Sequence, residues 1–156
     1  MNEKWDRRFL DLAAHVSGWS LDPSTQVGAV IADDNKKVIA MGYNGLPRGI
    51  QDTDERLNNR EIKYRYIIHG EINAILNADI SVRGTNLYVW PLSPCSDCMK
   101  MIIQCDIKRI IYPVISDELR ARWGESLDFA TSMAKEAGIE LVEITSPKKN
   151  RTKFHS

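Results

Sequence analysis

Four side chains in two short stretches carry the chemistry of this chain: His69 and Glu71 in His-Gly-Glu, and Cys95 and Cys98 in Pro-Cys-Ser-Asp-Cys. An imidazole nitrogen and two thiolates are habitual zinc ligands, and three of them leave a fourth tetrahedral position open. Cys95 and Cys98 are three residues apart, so at a helix start both sulfurs face one side. Pro94 suits the entry to such a helix. The partial positive charge of a helix N-terminus lowers a thiol's pKa and favours the thiolate that a metal needs. Glu71 stands two residues beyond His69, which on a helix turns it away from the ligand face and toward the open side of the metal. Zinc lowers the pKa of water, and a carboxylate placed there can take the proton. The set is suited to hydrolysis at an sp² carbon that bears an amino group.

Each half of the set has a plainer reading. A Cys-x-x-Cys pair alone is equally at home in redox chemistry or in a structural zinc site. A structural site, however, closes with four protein ligands, and the remaining donors are poorly placed. Cys105 lies two turns beyond Cys98 on an apolar face and reads as a buried structural thiol. His15 reads as a packing or surface residue of the first helix, and His155 falls in the tail.

These groups must be held by one domain, expected over residues 3–145, with a basic tail at 146–156. The chain has 156 residues, 43% of them hydrophobic and 27% charged, which is one core's worth of a globular protein. Lys plus Arg and Asp plus Glu both number 21, so no net basic field exists to gather nucleic acid, which is not an expected partner. The first residues alternate charge with apolar groups and contain no signal-peptide core. No apolar run approaches a membrane span. Three cysteines make no disulfide framework, and a reducing, cytoplasmic location is expected.

Apolar spacing predicts helices at 3–19, 69–79, 95–104 and 116–137, with Gly124 a possible break near the start of the last. Strands are predicted at 27–31, 37–43, 85–90, 107–112 and 139–144. The first two form a hairpin, and the later strand–helix alternation implies parallel strands with helices on both faces. Residues 44–49 read as loop. Residues 52–66 are dense in mixed charge and poor in periodicity, and so long a connection is often functional.

The His-x-Glu and Pro-Cys-x-x-Cys pair is the signature of zinc nucleobase deaminases. From about Trp5 to Ile144 the chain resembles the cytidine and deoxycytidylate deaminase superfamily, in DPSTQVGAVI, GYNGLPRG, KYRYIIHGEINAIL and SPCSDCMKMIIQ. GYNGLPRG and the Tyr-containing run into His69 point to its deoxycytidylate branch. The resemblance implies a three-layer α-β-α sandwich with a five-stranded mixed sheet whose last two strands are parallel. It implies one zinc per chain on His69, Cys95 and Cys98, a proton shuttle at Glu71, and conversion of dCMP to dUMP with release of ammonia. Asn44 and Thr25 would lie by the substrate, and the Gly70 backbone would bond the pyrimidine carbonyl. The family usually has Ala at that position. A homo-oligomer, a hexamer in many relatives, with dCTP and dTTP as effectors, is also implied.

Asn44 offers both a donor and an acceptor to a sugar hydroxyl, and Arg48 can meet a phosphate. Arg60, Lys63 and Arg65 are further candidates for the phosphate or an effector. Residues 50–66 contain neither Cys nor His, so no second zinc is expected there. The competing readings are a deaminase of another base (cytidine, or adenosine in tRNA) and a non-catalytic zinc-containing nucleotide-binding module.

Overall fold

A helix begins at residue 3 because Asn2 caps it: its side chain accepts the Lys4 backbone N–H. This helix, α1 (Glu3–Ser17), buries Phe9, Leu10, Ala13 and Val16 along one face. The structure, a computed structural model, describes residues 2–145; the basic tail lies outside them. After α1 come β1 (Gly28–Ala32), β2 (Val38–Tyr43), α2 (Asp54–Asn58), α3 (Arg60–Tyr66), α4 (Gly70–Asn77) and β3 (Asn86–Trp90). Then follow α5 (Ser96–Gln104), β4 (Arg109–Pro113), α6 (Asp117–Glu136) and β5 (Glu140–Ile144).

The five strands form one sheet in the order β2-β1-β3-β4-β5. β1 is antiparallel to β2 and β3, while β3, β4 and β5 run parallel, the crossovers being α5 and α6. Alternation along the strands divides the core. Val30, Tyr88 and Ile111 pack with Phe9 and Leu10 of α1. Ile31, Leu87 and Ile110 pack with Ala74 of α4, Met99 and Ile102 of α5, and Ala130 and Ala134 of α6. Covered on both faces, β1 and β4 are fully buried; β1 is apolar throughout, and β4 from Ile110 on. This is the expected α-β-α sandwich with a mixed sheet.

On the α1 face, Arg109 donates to Asp6 Oδ2 (2.7 Å) and Asn86 Oδ1 (3.1 Å), and the Tyr88 hydroxyl donates to Asp6 Oδ1 (2.8 Å). Burial there pushes the Tyr88 phenol above its ordinary range. On the other face α4 lies against β2 at glycine distance. A Cβ on Gly42 would stand 2.3 Å from the Ala74 nitrogen, so only glycine lets the helix sit there. Asn73 and Asn77, one turn apart, donate to the carbonyls of Tyr43 and Met41 (2.8 Å each) and fasten the helix along the strand.

Three expectations change. Gly124 does not interrupt α6, which runs unbroken for 20 residues; one internal glycine costs a helix about 1 kcal/mol, less than its packed face returns. Residues 52–66 are not a loop with a vague helical stretch but two capped helices. Thr53 accepts from Arg56 N–H, and Asn59 from Ile62 N–H. Their periodicity is poor because each buries a single residue, Leu57 and Lys63. Cys105 caps the end of α5 and is half-buried, not buried.

Candidate active site

Two helices start side by side, and their first residues make the centre of the site. His69 is the N-cap of α4 and Cys95 the N-cap of α5; neither makes a side-chain capping bond, so both side chains are free for other work. Cys98 follows in the first turn of α5, buried. The ligand atoms of His69, Cys95 and Cys98 all lie within 4.8 Å of one another. His69 Nδ1 is 3.1 Å from Cys98 Sγ and 3.4 Å from Cys95 Sγ. Zn–N and Zn–S bonds of about 2.0 and 2.3 Å at tetrahedral angles require N···S separations of about 3.5 Å, so the donors fit zinc with shifts of a few tenths of an ångström.

The three groups share protons as a unit. Cys95 is pulled down to about 4, first by its hydrogen bond with Cys98 and then by that with His69. Cys98 is pushed up by the Cys95 sulfur and by burial. His69 rises to about 9 through its bond to Cys95. The shift at Cys95 favours its thiolate, the form that ligates a metal.

Glu71, in the first turn of α4, is 4% exposed, and burial raises its carboxyl to about 7. It opens on a cleft that is also lined by His69, Gly70 and Cys95. Val27, Ile67 and Leu92 supply apolar wall. Lys63, Tyr64, Arg122 and Trp123 stand around the rest with residues of the 22–25 loop.

That loop is built on Asp22, which accepts from the N–H groups of Ser24 (2.8 Å) and Thr25 (3.3 Å) and from Lys63 Nζ (3.0 Å). Lys63, 4% exposed, also reaches Ser24 Oγ at 3.4 Å. Arg122, on exposed α6, donates to Thr25 Oγ1 at 3.3 Å.

Thr25, Asn44 and Gly70 all reach the cleft. The Asn44 amide, though, is engaged: Oδ1 accepts the Val27 N–H (2.8 Å), and Nδ2 donates to the Thr25 carbonyl (2.9 Å) and Asp22 Oδ2 (3.3 Å). It holds the 22–25 loop to the end of β2, with one carbonyl lone pair left for a ligand. A Cβ at Gly70 would lie 3.1 Å from the Val27 carbonyl, so here the chain packs β1 tighter against α4 than an alanine would allow without a small shift.

Arg48 and Arg65 are not brought to the cleft. Arg48 lies 3.5 Å from Asn77 Oδ1 in a separate groove behind α4. Arg65 is exposed on α3, whose one buried residue, Lys63, lines the cleft instead. The sequence reading missed Arg122 and Trp123, since Trp123 falls in the apolar register of α6 and nothing local shows that the helix start overhangs a cleft.

A mixed α/β sandwich presenting a His–Cys–Cys set at two helix N-termini, beside a buried carboxylate, defines a zinc hydrolase of the nucleobase-deaminase class. The chain belongs to the cytidine and deoxycytidylate deaminase family, whose zinc-binding region matches residues 3–114. It is 40% identical over 142 residues to an uncharacterized deaminase in the luxG 3′ region of Aliivibrio fischeri, covering 91% of this chain and 95% of that one. With the deoxycytidylate deaminase of Mus musculus it shares 37% over 150 residues (91% and 80% of the two chains). With that of Enterobacteria phage T4 it shares 30% over 188 residues (94% and 92%). The fold matches a crystal structure of dCMP deaminase from the cyanophage S-TIM5 in complex with dCMP and dUMP, with a TM-score of 0.72 at 22% identity, over 92% of this chain and 99% of that one. Among the described residues no helix is long and apolar enough to cross a membrane.

Proposed function

We propose that the protein hydrolyses dCMP to dUMP and ammonia, supplying dUMP for thymidylate synthesis. One observation carries the reading: a buried carboxylate, Glu71, shares a cleft with His69 and Cys95 of the His69–Cys95–Cys98 donor set while two cations, Lys63 and Arg122, stand elsewhere on its wall. A reacting base and a phosphate thus both find a complement.

His69, Cys95 and Cys98 would hold one zinc ion. When bound, zinc supplies a Lewis acid that lowers the pKa of water toward neutrality. Glu71 takes a proton from the attacking water and gives it to ring N3 as the C4–O bond forms. It then carries the second proton to the exocyclic nitrogen, the C4–N bond breaks and ammonia departs. The apolar wall of Val27, Ile67 and Leu92 receives the pyrimidine. The Gly70 backbone faces its carbonyl, Thr25 and Asn44 frame the deoxyribose, and Lys63 and Arg122 take the phosphate in place of Arg48 and Arg65.

Ammonia release from cytidine, deoxycytidine, CMP, dCMP and dCTP tests this, with dCMP expected to give the highest kcat/KM. Preference for an unphosphorylated nucleoside would refute the substrate. A binding module without turnover has no use for a buried carboxylate at a metal, and equal numbers of acidic and basic residues disfavour a tRNA substrate. The family likeness extends the reading to a cytoplasmic homo-oligomer, a hexamer, under dCTP and dTTP control. Light scattering with and without each triphosphate tests that extension.

A further inference from the structure

Buried polar atoms in folded proteins nearly always have hydrogen-bond partners, and each exception asks for a reason. Among the described residues three buried side-chain atoms have no hydrogen-bond partner in the protein: Arg109 Nε, Ser93 Oγ and Trp123 Nε1. The first is explained by charge, since Glu140 Oε2 lies 3.5 Å away. The other two belong to residues that line the same cleft, Ser93 beside Cys95 and Trp123 beside Arg122. Ser93 is 1% exposed and forms the partition between the cleft and a groove beneath α6 lined by Tyr112 and Leu127.

An orphaned donor weakens the protein that contains it. Two of them in one ligand cleft make sense as groups kept free for the ligand. We propose that Ser93 Oγ and Trp123 Nε1 are recognition groups for the nucleotide. Ser93 pairs with the edge of the base, and Trp123 donates to an oxygen of the sugar–phosphate half.

The assignment follows from position and chemistry. Ser93 stands two residues before Cys95, at the metal end with His69 and Glu71, where the reacting edge of the ring must lie. A hydroxyl both donates and accepts, as that edge requires. Trp123 follows Arg122, whose guanidinium reaches Thr25 Oγ1, next to Ser24 and Lys63. An indole N–H only donates, and the sugar and phosphate are rich in acceptor oxygens. The inference rests on the deaminase reading and adds to it two contacts that no ligand-set argument supplies.

The test compares wild type, Ser93→Ala, Trp123→Phe and Trp123→His as zinc-loaded proteins. It measures KM for dCMP and deoxycytidine, zinc content, and Tm without substrate. Removing an orphaned polar group leaves stability unchanged or improves it, whereas removing a substrate contact weakens binding; the two readouts therefore move in opposite directions. Ser93→Ala is expected to raise KM about fivefold to tenfold for both substrates, with Tm unchanged or raised by about 2 °C. Trp123→Phe is expected to raise KM for dCMP similarly, and Trp123→His, which keeps a ring N–H, to recover part of the loss. A loss also seen with deoxycytidine places the contact on the sugar, and one confined to dCMP places it on the phosphate; both support the proposal.

Unchanged KM in both Ser93→Ala and Trp123→Phe overturns it. For Ser93, a lowered Tm overturns it too, because the hydroxyl then had a structural partner such as a buried water. If wild type releases ammonia from none of the cytosine compounds, the deaminase reading fails before any variant is compared. Wild-type turnover with unresponsive variants sinks this inference alone.

Discussion

The two ends of the cleft are built by different means. At the metal end, every reactive group sits within one turn of a helix N-terminus, and the helices are fixed on the sheet: α4 by close approach at Gly42 and by Asn73 and Asn77, α5 by the buried Cys98, Met99 and Ile102. At the other end no element supplies more than part of the site. The 22–25 loop, α3 and α6 meet there side chain to side chain, through Asp22–Lys63 and Arg122–Thr25. The metal end therefore keeps its shape through helices packed on the sheet, and variants of its ligands and of Glu71 should change kcat or metal content. The mouth depends on individual hydrogen bonds, and its variants should change KM and stability.

The largest expected effect sharpens the first half of that contrast. Glu71→Gln keeps size and leaves His69, Cys95 and Cys98 intact, but removes the group that moves protons. Turnover of dCMP should fall by about 10³-fold or more, with zinc content at the wild-type level. Metal analysis of the purified variant beside single-turnover kinetics checks it. Zinc loss, or activity near wild type, would break the separation between ligands and shuttle.

Lys63→Met probes the second half. It leaves the Asp22 carboxylate buried without its cation, a change that typically costs about 3–5 kcal/mol, so Tm should drop by roughly 8–15 °C. KM for dCMP should rise while zinc content holds. Adding Asp22→Asn removes the stranded charge, and the double variant should regain much of the Tm but not the KM. Recovery of both would mean that Lys63 only steadies the loop.

This division also explains what the sequence made legible. His69, Glu71, Cys95 and Cys98 could be read because local helix geometry alone decides where they point, and so could the strand alternation from Tyr88 to Val142 that fixes the sheet. Arg122 could not, and Lys63 could be read only as one of four candidate cations. Lys63 and its partner Asp22 are 41 residues apart in the chain, and Arg122 and Thr25 are 97 apart; in a neutral chain with 21 charges of each sign local composition cannot separate a buried lysine from a solvated arginine. Asn44 was readable as special but not in detail. A primary amide in a glycine-rich loop marks a hydrogen-bonding post, and only the packed structure shows that most of its capacity serves the 22–25 loop.

The smallest effects separate the two arginines that sequence and structure rank in opposite order. Arg122 is exposed on α6, so water screens its charge and its worth to a phosphate is modest. Arg122→Gln should raise KM for dCMP about fivefold, leave KM for deoxycytidine within twofold, and lose most of the difference at about 0.5 M salt, where the screening length is only a few ångströms. Arg48→Gln should leave both KM values within about twofold, because its guanidinium meets Asn77 on the far side of α4, away from Glu71 and the metal ligands. A selective rise in KM for dCMP in Arg48→Gln, with Arg122→Gln unaffected, would move the phosphate out of the cleft mouth. The nucleotide would then have to reach Glu71 from behind α4, and the contrast between the two ends of the cleft would no longer describe the molecule.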